Sequence, residues 1–167
     1  MRSHIYVALV TIPVLLFTGK AGGQPTLTSA PGKGQEVVYV FQGGVSDDSA
    51  PNDAATVVYC TNLSSQEPLG VRVEFFGPAG FQIDSLSSND IEPGHTKIFA
   101  SQPLALIVNE LNMATPQMVP LNGRVVVAGK KASVLCSAQL WIHPTTTNPT
   151  VVPLAGLPLG KPKVKFK

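Results

Sequence analysis

The sequence predicts an all-β protein folded as a two-sheet sandwich of about seven or eight short strands. Glycine and proline occur 15 times each in 167 residues, and charged residues make up only 13%. Such a composition favours strands joined by many turns over helices. The apolar runs are short, and turn residues separate them. Each sheet would have one apolar face to bury, and two sheets packed face to face satisfy both.

The first 23 residues are typical of a signal peptide. Arg2 supplies a positive start, residues 5–17 form an apolar stretch, and small residues follow at 18–23. A membrane-spanning helix needs roughly 20 apolar residues, and this stretch is shorter and contains Thr11 and Pro13. We therefore expect the signal peptide to be cleaved and the mature protein to be periplasmic or secreted. We expect no stable membrane span after cleavage.

The rest of the chain divides by composition into three parts. Residues 24–35 are rich in proline, glycine, serine and threonine, which predicts a flexible leader. Residues 36–160 carry the strand-like runs and are predicted to form the domain. Residues 161–167 form a basic tail with lysines at Lys161, Lys163, Lys165 and Lys167.

Period-two alternation and turn residues locate the strands. The clearest run places Val71, Val73 and Phe75 on one face and Arg72 and Glu74 on the other, as in a half-buried strand. A turn over residues 77–80 then predicts a hairpin. Strands are predicted at residues 36–42, 55–62, 71–76, 81–85, 96–101, 124–128 and 133–142, with 104–111 either a strand or a short helix, and 151–159 an edge strand limited by Pro153 and Pro158.

The net charge argues against a nucleic-acid partner. Without Arg2 and Lys20 the chain has 10 basic and 10 acidic residues, and the tail holds four of the basic ones, so residues 24–160 have a net charge of −4. No basic domain remains. The tail lysines are candidate contacts to an anionic surface, where they would give weak, salt-sensitive adhesion. They could equally form a solvated tail or add to a sheet edge of a neighbouring subunit.

Two cysteines in strand-like runs, Cys60 and Cys136, predict a disulfide. Their spacing is not that of a metal site, and cysteines pair readily in an oxidising compartment. Two separately buried thiols are the alternative. If Cys136 points into the core, Ala138, Leu140 and Ile142 share its face. The same parity turns three candidate ligand contacts outward, namely Gln139, Trp141 and His143.

Several segments resemble the strand and turn signatures of exported bacterial immunoglobulin-like or fibronectin-type-III-like modules. The segments are Val58–Asn62, Val73–Pro78, Ile91–Thr96 and Val134–Ala138. The resemblance implies an inter-sheet disulfide and an adhesive, scaffolding or ligand-binding role. Such a disulfide would place Tyr59 and Trp141 on opposite outer faces. The chain departs from the immunoglobulin pattern because it has no tryptophan between the two cysteines.

Catalytic and metal-binding patterns are sparse. A calcium site is one interpretation of Asp47, Asp48, Asn52 and Asp53, but a solvated acidic loop is the simpler one. His95 and His143 border turns, and no nucleophile elbow, zinc helix or phosphate loop is present. We therefore expect no metal, no cofactor and no catalytic residue.

The sequence leaves three hypotheses about function. The first is a non-enzymatic exported binding or scaffolding module with an unknown protein or polysaccharide partner. The second is a small periplasmic hydrolase or metal-dependent enzyme built around His95 or His143. The third is an assembly subunit that uses strand addition through its leader or tail.

Overall fold

A computed structural model of the chain describes residues 30–47, 53–65, 69–107, 110–113, 119–128 and 134–159. These residues contain ten strands and no helix, which confirms the all-β prediction. The strands are β1 (Gln35–Ser46), β2 (Ala54–Asn62), β3 (Leu69–Phe76), β4 (Gln82–Ile91), β5 (Thr96–Ala100), β6 (Leu111–Asn112), β7 (Val119–Ala128), β8 (Val134–Ile142), β9 (Thr150–Pro153) and β10 (Ala155–Pro158).

The strands form two five-stranded sheets that make a sandwich. Sheet 1 has the order β10-β1-β7-β3-β4, and sheet 2 has the order β6-β5-β2-β8-β9. All pairs are antiparallel except β5 with β6. The C-terminal segment passes from one sheet to the other, since β9 is the edge of sheet 2 and β10 is the edge of sheet 1.

The strand predictions differ most from the structure at two segments in the second half of the chain. The segment at 104–111 contributes only the first residue of the two-residue strand β6, and the segment at 151–159 makes two short edge strands instead of one. The hairpin after Phe76 forms as β3 and β4. The signal peptide and the lysine tail lie outside the described residues, as does the leader except for its last six positions.

The main core lies between the inner faces of the two sheets. On sheet 1, Val71, Val73 and Phe75 point inward, as their alternation predicts, and they are at most 2% exposed. Val58 of β2 and Phe99 of β5 meet them from sheet 2. Burying side chains of this size contributes about 1.5–3 kcal/mol each.

Two aromatic side chains of β1 pack against the glycine backbone of the strands on either side of it, β7 and β10. A Cβ at Gly123 would overlap the ring of Phe41, and a Cβ at Gly156 would overlap the ring of Tyr39. These glycines are therefore required by close approach rather than by backbone conformation. A side chain at either glycine would displace the aromatic ring that packs over it.

The Cys60–Cys136 disulfide forms, but its expected position between the sheets is wrong. Cys60 and Cys136 are direct cross-strand partners on β2 and β8, which are neighbours in sheet 2. Their Cα atoms are 4.3 Å apart, close to the separation of a non-hydrogen-bonded antiparallel pair. Stacked sheets lie roughly 10 Å apart, so a bond with this Cα separation joins strands rather than sheets.

Within the described ranges, no helix has the length and apolar character needed to cross a membrane.

Candidate functional site

Trp141 lies on the outer face of sheet 2, as its parity predicts, but it is only 8% exposed. It belongs to a second apolar cluster with Ala55, Val57 and Leu104, and the partly buried Ile107 packs against that cluster. Leu104 and Ile107 come from the loop after β5. This cover leaves little of the indole ring for a ligand, so the structure gives Trp141 a packing role.

The polar end of Trp141 is also occupied. Its Nε1 donates a hydrogen bond to Oε1 of Gln139 at 3.1 Å. Tyr59 packs against the same cluster, where burial raises the pKa of its phenol and a hydrogen bond with Trp141 partly offsets that rise. The expectation that Tyr59 and Trp141 occupy opposite faces is wrong, because β2 and β8 are adjacent in one sheet.

We predict that Trp141, the only tryptophan in the chain, fluoresces at a shorter wavelength than free tryptophan in water. Its burial removes the indole from the solvent that causes the red shift. The folded protein should also resist quenching by acrylamide, and unfolding in denaturant should abolish both properties. An emission maximum and quenching rate equal in the folded and unfolded protein would contradict the burial of this side chain.

His143 is held by a buried aspartate at the end of the β2–β8 pair, two residues beyond Trp141. Its backbone N–H donates to the carbonyl oxygen of Asp53 at 2.8 Å, and its Nδ1 lies 3.0 Å from Oδ1 of that residue. The Thr145 hydroxyl donates to Oδ2 of Asp53 at 2.6 Å. The cluster joins the residue before β2 to the loop after β8.

This cluster resembles only part of a catalytic relay. A carboxylate that bonds Nδ1 of histidine orients the ring as in a triad. The hydroxyl group, however, bonds the carboxylate rather than the imidazole, so it is not placed for deprotonation by His143. His95 is not part of this cluster. It lies in the turn between β4 and β5, where its N–H donates to the carbonyl oxygen of Glu92 and its carbonyl oxygen accepts the N–H of Asn62, the last residue of β2.

The cluster does not present a calcium site either. Both oxygens of Asp53 already accept hydrogen bonds, and Asp48 and Asn52 lie outside the described residues. Among the residues that the structure describes, no group of three His, Cys, Asp or Glu side chains is placed to hold a metal ion.

The hydrogen bond from Thr145 lowers the pKa of the Asp53 carboxyl, with a smaller lowering from His143. A carboxyl whose pKa is lower in the folded state adds stability above its unfolded pKa, and this stability is lost as the pH falls through the folded value. We therefore expect Asp53→Asn to lower the melting temperature at neutral pH, and we expect that difference to shrink progressively as the pH falls below about 4, the ordinary value of a carboxyl pKa.

Thermal unfolding of Asp53→Asn between neutral and acidic pH checks this prediction. Glu92→Gln is the matched control, because Glu92 is exposed and its side chain should add little. A melting-temperature difference for Asp53→Asn that stays constant across the acid range would contradict a stabilising role for the ionised Asp53 carboxylate.

An open depression of about 470 Å³ lies on the described surface at the edge of sheet 1. It lies where β1, β7 and β10 meet. Its lining residues are Val40, Phe41, Gln42, Asn122, Ala155, Gly156 and Leu157. The volume falls within the range typical of small-ligand sites.

A β-bulge in β1 shapes this depression. Phe41 pairs with Gly123 and Gly44 pairs with Leu121, so Gln42 and Gly43 stand opposite the single residue Asn122. Gly43 has a φ of 79°, which favours glycine. A bulge bends and twists its strand and re-aims a side chain. Here it brings two carboxamide residues, Gln42 and Asn122, opposite each other.

The strand register decides which side chains reach the depression. Val40 pairs with Leu157, and Gln42 pairs with Ala155. All four lie on the face opposite to the core, because the intervening Phe41 points inward. Leu157 is 61% exposed. None of the lining residues in the described part of the chain is ionisable, so the surface is neutral, with aliphatic walls and two carboxamides.

The fold and this surface define the class as a disulfide-bonded β-sandwich with a neutral surface depression. Comparison with known proteins finds no matching family model, no matching curated protein and no matching solved structure. Of the candidate ligand contacts predicted from sequence, Gln139 bonds buried Trp141 and His143 bonds Asp53, whereas the tail lysines lie outside the described residues. The sequence signal that could have located the depression is the Gln42-Gly43-Gly44 segment within an otherwise regular strand.

Proposed function

We propose that the protein is an exported, non-enzymatic β-sandwich module that binds a ligand at the sheet 1 depression. The observation that carries the proposal is the bulge-shaped concavity with exposed Leu157 and two carboxamides. Ligand sites are typically concave and mostly apolar, with a few polar groups that fix orientation. A neutral depression with these residues has that composition.

The disulfide supports export. Structural disulfides persist in oxidising compartments and are rare in the cytoplasm, and the Cys60–Cys136 bond fits a non-cytoplasmic location. The signal-like N-terminus adds to this argument from sequence alone. Periplasmic and secreted locations are both compatible with the proposal, and an immunoglobulin-like ancestry is not needed for it.

An enzymatic role has less support. The one arrangement that favours it is the His143–Asp53 contact, in which the imidazole side chain is 43% exposed. Its associated hydroxyl bonds the carboxylate, and the depression lies on the other sheet. A base and a concavity on different sheets do not provide one reaction site.

Assembly by strand addition also has less support, because three of the four edge strands in the described residues, β4, β9 and β10, carry features that disfavour pairing. The N–H of Leu154 bonds Ala138, and that of Leu159 bonds Val38, so Pro153 and Pro158 occupy positions whose backbone faces away from the sheet. Proline offers no donor there. On the β4 edge the Asp84 side chain accepts the N–H of Ser85 at 2.7 Å. Such features prevent edge pairing.

Mapping with small neutral probes tests the proposal. We expect isopropanol and N-methylacetamide, titrated into the oxidised, ¹⁵N-labelled protein, to shift backbone amide signals mainly around Gln42, Asn122 and Gly156. Concave sites with mixed polarity collect such probes, whereas flat surfaces do not. Shifts spread evenly over the surface, or concentrated elsewhere, would overturn the proposal.

A pair of matched variants sharpens this test. Leu157→Asp places a charge in the depression, and Leu135→Asp places one at a position of similar exposure on sheet 2, since Leu135 is 54% and Leu157 is 61% exposed. Only Leu157→Asp should abolish the clustered shifts. Equal behaviour of the two variants would contradict a site at the depression.

A further inference from the structure

We propose that the ligand of the sheet 1 depression is a short, uncharged peptide segment that presents an aliphatic side chain. This inference rests on the proposed binding function and names the chemistry of the ligand. It follows from the walls of the depression, its polar groups and the backbone of the adjacent strand.

The walls of the depression match an aliphatic side chain better than a sugar ring. Val40, Ala155 and Leu157 supply the apolar surface. Phe41 contributes little ring, because it is 3% exposed and packs over Gly123. Sugar rings are commonly held against exposed aromatic faces, and the one tryptophan is buried on the other sheet. A charged side chain would lose water here without gaining an opposite charge.

The polar groups of the depression match a peptide unit. Gln42 and Asn122 each carry one carbonyl acceptor and one NH₂ donor group. A peptide unit needs one acceptor for its N–H and one donor for its C=O. The bulge places the two residues opposite each other across β1 and β7, so one peptide unit can be held without any net charge.

The edge of β10 limits how long this peptide can be. Because Leu159 donates its N–H to Val38 of β1, the alternating antiparallel pattern directs the N–H of Gly156 away from β1. Pro158, two residues on, has no N–H. The edge thus offers one donor beside the depression and none at the next outward position. It can anchor one residue of a peptide, but it cannot extend a ladder as in strand addition.

Amide-signal titration with blocked tripeptides tests this inference on the oxidised, ¹⁵N-labelled protein. The probe is acetyl-Gly-Leu-Gly-amide, and the matched controls are acetyl-Gly-Asp-Gly-amide, acetyl-Gly-Gly-Gly-amide and cellobiose. We expect saturable shifts around Gln42, Asn122 and Gly156 with the leucine peptide. We also expect the aspartate and glycine peptides to bind at least about tenfold more weakly, because they lack the buried aliphatic group.

Variants then separate the polar and apolar contributions. Gln42→Ala should weaken the leucine peptide about fivefold, through the loss of a hydrogen bond, and Leu157→Asp should abolish detectable binding. Leu135→Asp should change the affinity less than twofold, because that residue lies on the other sheet. Equal weakening by Leu157→Asp and Leu135→Asp would contradict the inference.

The remaining outcomes separate this inference from the proposed function. Saturable binding of cellobiose at these residues, or equal binding of the aspartate and leucine peptides, would overturn the peptide inference and leave the binding site standing. Clustered shifts with isopropanol but none with the leucine peptide would do the same. If neither the small probes nor the peptides shift these amides, both proposals fail.

Discussion

Replacing Cys60 and Cys136 with alanine is expected to lower the free energy of unfolding by about 4–5 kcal/mol. The disulfide joins residues 76 positions apart, and a cross-link across a loop of this length removes roughly that much chain entropy from the unfolded state. Typical domains are stable by only about 5–15 kcal/mol. The variant should therefore lose a large share of its stability and melt at a clearly lower temperature.

Chemical denaturation of the oxidised protein and of the Cys60→Ala/Cys136→Ala variant measures this difference. Adding a reductant should destabilise the native protein and leave the double variant unchanged. Reduction breaks the disulfide but keeps both sulfur atoms, so this comparison distinguishes the effect of losing the bond from the effect of losing the atoms. The native protein should also react with a thiol reagent only after reduction. Equal denaturation midpoints with and without reductant would contradict a stabilising disulfide.

Glu74→Leu is expected to cost about 3–5 kcal/mol of stability, because it leaves a buried arginine without its carboxylate. Glu74 and Arg124 are 4% and 3% exposed. Nε of Arg124 lies 2.6 Å from Oε2 of Glu74, and Nη2 of Arg72 lies 2.8 Å from Oε1. Arg124 also lies over the ring of Phe76, with Cζ 5.3 Å from the ring centroid.

A double variant distinguishes the buried pair from simple packing. Replacing both partners with apolar residues avoids the uncompensated charge, so Glu74→Leu/Arg124→Met should be more stable than Glu74→Leu alone. Glu36→Leu, at an exposed position of β1, should change stability by no more than about 0.5 kcal/mol. A double variant less stable than the single one would contradict an energetic role for the ion pair.

The alternation of apolar and polar residues along the chain was enough to predict the sandwich. It also predicted, for most strand residues, which face of the sheet the side chain occupies. Alternation over residues 71–76 correctly placed Val71, Val73 and Phe75 in the core. The parity of β8 correctly placed Gln139 and Trp141 on the face opposite to Cys136. These predictions need only the period of a strand and the need to bury one face of each sheet.

Predictions that depend on neighbouring strands were less successful. Sequence gives no direct sign that β2 and β8 are adjacent, and that adjacency places the disulfide within sheet 2 and Tyr59 beside Trp141. The cover over Trp141 depends on how the loop with Leu104 and Ile107 folds back. Glu74 sits at an outward position but is buried, because Arg124 lies beside it on β7, a strand that is distant in sequence but adjacent in the sheet.

The depression was not predicted because it depends on tertiary pairing. Its shape needs the bulge at Gln42 and Gly43, which is defined only by the register against β7. Its wall needs β10 beside β1, a contact between opposite ends of the domain. Proline content suggested a weak edge strand at 151–159, but the sequence does not show which sheet each half joins.

Probe mapping of the oxidised, ¹⁵N-labelled protein tests whether the sheet 1 depression is a binding site. We expect isopropanol and N-methylacetamide to shift amide signals in a cluster around Gln42, Asn122 and Gly156. Leu157→Asp should remove this cluster, and Leu135→Asp should retain it. Evenly scattered shifts, or a cluster that survives Leu157→Asp, would contradict a binding site at the depression.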